Sequence, residues 1–301
     1  MHESRAMLSL NVCRSSLLLL AGRTRASRMA LHSSSVSQNR ATGKKPVNAA
    51  GEEVYYEQRG SGAHPILCIS GALGTANSDF FPQLEYFGRE ESSYTIVGYD
   101  PMGYGNSRPP ERNFESKTEI FFERDASDGH SLMQALSFPK FSVLGWSDGG
   151  IAAMILAARF PEAVQKLVVW GANSYISDED ISLFENTRDV KKWSARMREP
   201  MEAMYGVTYF PKLWSDWLDA MIAIKLKTPD GDLCKKDLPK IKCPTLVVHG
   251  AKDAMVPQFH PDYIHGNIAE SRLVVMPDGK HNLHWKYAKE FNELVDNFLS
   301  E

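Results

Sequence analysis

The chain has 301 residues, of which 43% are hydrophobic and 24% are charged, a composition typical of a globular protein that can bury a full core. Residues 1–50 hold eight Lys and Arg and a single acid, so the remaining residues carry a net charge of −10, which argues against a nucleic-acid partner. The four cysteines are scattered and form no C-x-x-C pair, which argues against a zinc site and a disulfide framework.

The N-terminal residues 1–45 are predicted to be a leader outside the fold. Six arginines and nine serines lie in the first 40 residues beside one acid, Glu3. Their short apolar run is broken by Arg14 and Arg23, so it cannot span a bilayer, which takes about 20 apolar residues. An Arg-rich, Ser-rich and acid-poor leader indicates a mitochondrial transit peptide. A disordered basic tail and a secretory signal are the alternatives.

The following residues predict a mostly parallel sheet flanked by helices, which is an α/β fold. Segment 53–59, preceded by a short turn, is typical of an antiparallel hairpin at the sheet edge. Helical patterns at 124–136 and 149–159 lie between apolar, β-branched runs that indicate strands buried on both faces. These runs are 66–70, 94–99, 141–146, 166–171, 245–250 and 272–277.

Residues 172–230 interrupt this alternation and predict a helical cap. The core is then divided into 46–171 and 231–301. The interrupting segment is rich in tryptophan and methionine at helical spacing, so it can cover a site and line an apolar pocket. For Trp193, Trp214 and Trp217 individually, we favour packing between the cap and the core over contact with a ligand.

The stretch LGWSDGG, residues 144–150, predicts a nucleophile. Ser147 lies at the turn between a strand and a helix, with Gly145 and Gly149 two residues to either side. The glycines permit a sharp turn that raises the serine hydroxyl above the sheet edge. The alternative is a glycine-rich turn with an incidental serine.

A serine needs an oriented base, and two loops at strand ends supply candidates. In this architecture the acid follows the serine in the chain and the histidine follows the acid. Asp253 and His281 each lie just after a predicted strand, where catalytic groups gather. We predict that His281 takes the proton of Ser147 and that Asp253 orients His281.

Three other polar residues are weaker candidates for these roles. His284 lies close enough to His281 in the chain to compete with it as the base. His249 ends a strand and is expected to bond locally, and Asp100 is interpreted mainly as a residue that organises its loop.

The oxyanion hole is predicted to consist of two backbone N–H groups. One is that of Asp148, the residue after the nucleophile. The other belongs to Ala72 or Leu73, in the loop after the strand at 66–70. The sequence does not choose between these two.

Several motifs together resemble the α/β-hydrolase superfamily over about residues 46–301, the cap included. These motifs are GWSDGG, DPMGYGNSRPP, FFERDA, WGAN, HGAKDAMVP and MPDGKHNLH. Within the superfamily they most resemble mitochondrial serine hydrolases that cleave α-amino acid esters, including ester prodrugs. The resemblance implies that Ser147, Asp253 and His281 form the triad and that Asp148 binds the amino group of the substrate. Relatives often carry Arg where this chain has Met102, which leaves an ion pair in that loop in doubt.

A carboxylate next to an oxyanion hole also has a physical meaning. It would repel the negative charge of the tetrahedral intermediate, unless the substrate brings a cation such as the ammonium of an α-amino ester, largely charged below about pH 8. The alternative is that Asp148 caps the helix that follows it.

Other functions remain open on the sequence. A carbon–carbon hydrolase acting on meta-cleavage products, a general carboxylesterase, a thiolactone hydrolase and a perhydrolase share the serine triad. A serine at position 147 argues against a haloalkane dehalogenase or an epoxide hydrolase, and an inactive binding module is also conceivable. We expect a monomer with a small-molecule ester substrate, no metal and no cofactor.

Overall fold

The computed structural model describes residues 39–115, 120–228 and 230–301. Eight strands form one sheet within these ranges: β1 (Arg40–Pro46), β2 (Glu53–Arg59), β3 (His64–Ile69), β4 (Tyr94–Tyr99), β5 (Phe141–Trp146), β6 (Val164–Trp170), β7 (Thr245–Gly250) and β8 (Ser271–Met276). All six runs predicted as buried strands are strands here, each within two residues of its predicted bounds.

The strands follow the order β1-β2-β4-β3-β5-β6-β7-β8 across the sheet. The pairs β1–β2 and β2–β4 are antiparallel, and every other pair is parallel. Every residue of β4 and of β7 is buried, because helices cover both faces of a parallel sheet. The predicted α/β class is confirmed, and so is the antiparallel hairpin at the edge.

Nine helices accompany the sheet in the described residues: α1 (Ala76–Phe87), α2 (Phe121–Ala135), α3 (Asp148–Arg159), α4 (Asp178–Glu185), α5 (Ala195–Tyr205), α6 (Tyr209–Lys227), α7 (Phe259–Asn267), α8 (Leu283–Lys286) and α9 (Ala288–Ser300). None of these helices is both long and apolar enough to cross a membrane. The three helices α4 to α6 lie between β6 and β7, in the segment where a helical cap is expected.

Local sequence explains the helices that carry the site. Helix α1 begins after Thr75, whose hydroxyl accepts the N–H of Ser78 at 3.0 Å, a capping arrangement that satisfies an otherwise unpaired helix donor. Helix α3 is buried along almost its whole length. Its alanines and glycines allow it to pack closely against β5 and β6.

The predicted leader 1–45 is wrong at its C-terminal end. Strand β1 begins at Arg40, and Lys44 pairs with Tyr55 of β2 in an antiparallel register. Five of the seven residues of β1 are exposed and the other two are half-buried, so it lacks the apolar pattern from which a strand is predicted. The transit-peptide hypothesis concerns mainly residues 1–38, which lie outside the described residues.

Candidate active site

Ser147 occupies a strained turn between β5 and α3. Its φ of 55° and ψ of −124° lie outside the regions that a non-glycine residue ordinarily adopts, and such strain is concentrated at functional sites. Its N–H donates to the carbonyl of Trp170 at 3.0 Å, which anchors the turn to the end of β6. The hydroxyl is thereby raised above the carboxyl ends of the central strands.

The two glycines that flank Ser147 are required by close approach of the backbone. A Cβ on Gly149 would lie 1.9 Å from the carbonyl oxygen of Ile69, and one on Gly145 would lie 2.5 Å from that of Gly149. Both distances are below 3.0 Å, shorter than the contacts that Cβ atoms make. The G-x-S-x-G pattern is therefore explained by sterics at these two positions.

The three predicted triad residues come together. Nε2 of His281 lies 3.2 Å from Oγ of Ser147, and its Nδ1 lies 2.9 Å from Oδ2 of Asp253. Because an ionised carboxylate only accepts hydrogen bonds, Nδ1 carries the proton and Nε2 is free to accept the serine hydroxyl. The arrangement can move a proton from Ser147 to His281.

Asp253 is held as a carboxylate. Burial would raise its pKa, but His281 and the backbone N–H groups of Met255 and Val256 outweigh this effect, so the pKa is lowered. The two N–H groups donate to Oδ1 at 2.8 and 3.1 Å, and Oδ2 is left for His281. The acid is thus fixed in orientation as well as in charge.

The competing candidates have local structural roles. His284 is fully buried; its Nδ1 accepts the indole N–H of Trp170 at 2.9 Å and its Nε2 donates to the carbonyl of Asp79. Burial lowers the pKa of His284 to about 3, so it stays neutral. His249 is buried in β7. Asp100 accepts the N–H groups of Ala76 and Asn106, which agrees with a role in organising its loop.

The loop predicted to complete the oxyanion hole lies against Ser147. A Cβ on Gly71 would lie 3.3 Å from Cβ of Ser147. The N–H of Gly74 donates to the carbonyl of Gly71 at 3.0 Å, which closes a turn with Leu73 in the left-handed region at φ 59°. Ala72 and Leu73 both belong to this turn, and the choice between their N–H groups stays open.

Asp148 directs its carboxylate towards the cap. Its Oδ2 accepts the indole N–H of Trp217 from α6 at 2.7 Å, and the N-cap of α3 is Ser147 and not Asp148. This geometry argues against the helix-cap interpretation. The residue is only 9% exposed, and it follows the nucleophile directly.

The charge of Asp148 is costly without a ligand. Burial raises the pKa of its carboxyl to about 7, although Trp217 and the nearby Arg112 act in the opposite direction. The two terminal nitrogens of Arg112 donate to the two carboxylate oxygens of Asp125 at 2.8 and 2.6 Å. One of them, Nη1, also donates to the carbonyl of Met102. A bound cation would stabilise the ionised form of Asp148.

Two cap helices reach the site. Besides Trp217 on α6, Tyr205 at the end of α5 donates its hydroxyl to the carbonyl of Leu73 at 2.7 Å. Trp193 and Trp214 instead donate their indole N–H groups to the carbonyl of Thr187, as expected of side chains that pack the cap. The cap therefore contacts both the loop at residues 71–74 and Asp148.

Sequence reasoning missed the indole partner of Asp148 and the contribution of Gly171. A Cβ on Gly171 would lie 3.1 Å from the ring of His281, so this glycine makes room for the histidine. Its position at the end of a predicted strand, 166–171, was a usable signal. Within the described ranges, no three His, Cys, Asp or Glu side chains converge as metal ligands.

Comparison with known proteins places these features in a family. A family profile described as the alpha/beta hydrolase fold matches residues 64–203. Serine hydrolase BPHL of Homo sapiens is 49% identical over 253 residues, which cover 84% of this chain and 85% of the human protein. The Mus musculus protein of the same name is 48% identical over the same shares.

A solved structure gives the same fold. The meta-cleavage product hydrolase CumD of Pseudomonas fluorescens superposes with a TM-score of 0.67 and 22% identity. The match covers 86% of this chain and 98% of that chain. At this identity the likeness concerns the fold alone.

Proposed function

The chain belongs to the α/β-hydrolase family and is a serine hydrolase, and we propose that it cleaves α-amino acid esters through an acyl-enzyme intermediate. The motifs in the sequence also resemble the biphenyl hydrolase-like proteins, known as valacyclovir hydrolases, and the two mammalian relatives confirm that resemblance. Ester prodrugs of amino acids, such as valacyclovir, belong to the proposed substrate class.

The observation that carries this proposal is the buried carboxylate of Asp148 directly after Ser147. The carbon that Ser147 attacks in an α-amino ester is one bond from the carbon that bears the ammonium group. A cation held at Asp148 therefore brings the ester carbonyl over the serine hydroxyl. Because Asp148 is buried, such a pair discriminates strongly against an uncharged analogue, by roughly 2–5 kcal/mol.

Acylation begins when Ser147 Oγ attacks the ester carbonyl carbon while Nε2 of His281 takes the hydroxyl proton. The new C–O bond places negative charge on the carbonyl oxygen, which accepts hydrogen bonds from the N–H of Asp148 and from that of Ala72 or Leu73. Collapse of this intermediate breaks the bond to the alcohol, which leaves with the proton from His281. Asp253 stabilises the imidazolium in between.

Deacylation repeats these steps with water. His281 takes a proton from a water molecule that attacks the acyl-enzyme carbonyl. The second tetrahedral intermediate then releases the free amino acid and returns the proton to Ser147 Oγ. The ammonium at Asp148 also offsets the repulsion that the carboxylate would exert on both oxyanions.

A carbon–carbon hydrolase is disfavoured by the charges of the site. The solved relative CumD is described as a meta-cleavage product hydrolase, and an anionic substrate would meet the carboxylate of Asp148. Arg112 could in principle receive an anion, but Asp125 already pairs with it in a buried bidentate contact. A general carboxylesterase shares every step above and differs only in lacking the amine preference.

The amine preference is expected to depend on pH in a defined way. We expect wild type to favour a p-nitrophenyl ester with a free α-amine over its N-acetylated counterpart by at least tenfold in kcat/KM, or ~1.4 kcal/mol. The ratio of the two kcat/KM values should fall below pH 7, because the pKa of Asp148 is raised to about 7 and protonation removes its charge. It should also fall above about pH 8, where the substrate amine loses its proton.

The ratio of the two kcat/KM values is informative because protonation of the triad lowers the hydrolysis of both esters equally. Its effect therefore cancels from the ratio. Steady-state kinetics between about pH 5.5 and 9.5, a range that extends about 1.5 units beyond these two values, measures the ratio directly. A ratio near one at every pH would contradict the proposed substrate class and leave a general esterase.

We also propose a mitochondrial location and a monomeric state. The composition of the leader supports the first proposal. For the second, nothing in the proposed mechanism requires a residue from another chain.

A further inference from the structure

The loop that completes the proposed oxyanion hole rests on one buried carboxylate. Asp79, in the first turn of α1, is only 4% exposed. Its Oδ2 accepts the N–H of Gly71 at 2.9 Å, and its Oδ1 accepts the hydroxyl of Ser78 at 2.7 Å. The first residue of the oxyanion loop, residues 71–74, is thereby tied to α1.

The carboxylate also fills the space inside that loop. A Cβ on Gly74 would lie 1.8 Å from Oδ2 of Asp79, so only a glycine lets the loop close over this side chain. Leu73 adopts its left-handed conformation between Gly71 and Gly74. A strained residue persists only where its surroundings hold it in place, and Asp79 supplies part of that restraint.

The backbone carbonyl of Asp79 also holds the segment that follows His281. The carbonyl of Asp79 accepts Nε2–H of His284 at 2.9 Å and Nε1–H of Trp285 at 2.8 Å. Both donors follow His281 closely in the chain. His284 is fixed in this tautomer, because its Nδ1 accepts the indole N–H of Trp170.

We propose that Asp79 is a positioning residue for the oxyanion hole, which fixes the loop at residues 71–74 relative to Ser147 and His281. The inference rests on the serine-hydrolase part of the proposed function and not on the amine preference. Burial raises the pKa of Asp79 to about 7, although Ser78 and Gly71 act against this effect. The ionised carboxyl of Asp79 therefore lowers the folding stability at neutral pH. Its presence in the core is better explained by a role in the site than by a contribution to folding.

The test is the rate at which a fluorophosphonate labels Ser147 in the full chain. In this reaction the serine oxygen displaces fluoride from phosphorus, the proton passes to His281, and the phosphoryl oxygen occupies the oxyanion hole. Asp79→Leu cannot accept the N–H of Gly71, so we expect labelling to slow by about 10- to 100-fold, as for a misplaced oxyanion donor. Asp79→Asn keeps an amide oxygen as acceptor, so it should restore most of the rate, to within about threefold of wild type.

A second readout separates positioning from a general loss of structure. With a p-nitrophenyl ester, Asp79→Leu should lower kcat and leave KM nearly unchanged, because the oxyanion hole acts mainly on the transition state. Asp296→Leu is the matched control. It removes a carboxylate that accepts the hydroxyls of Tyr86 and Tyr94, neither of which has a part in the proposed mechanism, and should not change the labelling rate.

A third variant keeps the test decisive if Asp79→Leu does not fold. Gly74→Ala displaces the carboxylate without removing it and should slow labelling to a similar degree. Labelling at the wild-type rate in a folded Leu or Ala variant would overturn the proposal, as would an equal loss in Asp79→Asn. If the wild-type protein is not labelled, the proposed serine nucleophile and this inference are both wrong. If only the amino-ester proposal is wrong, labelling is normal and the preference for the free amine is missing.

Discussion

Replacing Ser147 by alanine is expected to lower kcat for any p-nitrophenyl ester by roughly 10⁶-fold, as in other enzymes that lose a serine nucleophile. The physical reason is that the acyl-enzyme cannot form without Oγ, which lies 3.2 Å from Nε2 of His281. The variant should fold, since the N–H of residue 147 still donates to the carbonyl of Trp170. Steady-state hydrolysis and fluorophosphonate labelling measure the effect.

A folded Ser147→Ala variant that stays active would contradict the assignment of Ser147 as the nucleophile. Thermal unfolding of Ser147→Ala serves as the control and should resemble that of wild type. If the folded variant keeps activity within about tenfold of wild type, the nucleophile is another residue and the assigned triad is wrong.

Replacing Asp253 by asparagine is expected to lower kcat by about 10⁴-fold. Asparagine can still accept the N–H groups of Met255 and Val256, which now donate to Oδ1. Its amide nitrogen would then face Nδ1 of His281 and favour the tautomer that carries the proton on Nε2. A histidine in that state cannot take the proton of Ser147.

The distinguishing measurement for Asp253→Asn is kcat and KM determined separately. We expect KM to change little, since Asp253 does not contact the substrate in the proposed mechanism. Activity near that of wild type would mean that another acid orients His281. Among the described residues, Asp100 was the weaker candidate for that role, and it is bonded to Ala76 and Asn106 instead.

Most of the sheet could be predicted from the sequence because its strands are buried on both faces. Strands β4 and β7 are continuous apolar runs, and a pattern of this kind depends only on local composition. Most residues of strand β1 were assigned to the leader, although a hairpin with β2 was predicted, because they lie at the edge and are mostly exposed. Its strand conformation depends on pairing with β2, and the sequence of residues 40–46 by itself has no pattern that indicates this pairing.

Some residues of the site could also be predicted from the sequence, and others could not. Ser147, Asp253 and His281 follow strands or glycine turns, so chain position alone predicts where their side chains meet. The roles of Asp79 and Trp217 depend on which partners the fold brings to them from 8 and 69 residues away. Neither residue stands in a motif, and a tryptophan on a helix more often packs than donates to a functional carboxylate.

The most direct test of the central claim is the effect of Asp148→Asn on the amine preference. Asparagine removes the negative charge but keeps an oxygen that can accept the indole N–H of Trp217, which lies 2.7 Å from Oδ2 of Asp148. Asp180→Asn is the matched control, because Asp180 is a buried cap carboxylate that pairs with His260. It should leave the preference unchanged.

We predict that wild type favours the free-amine ester over the acetylated ester by at least tenfold in kcat/KM and that Asp148→Asn brings the ratio close to one. Hydrolysis of the acetylated ester should stay the same or rise, because a charge that repels the oxyanion has been removed. If Asp148→Asn keeps the preference of wild type, Asp148 does not bind the ammonium group. The amine specificity would then have to come from other residues of the cap.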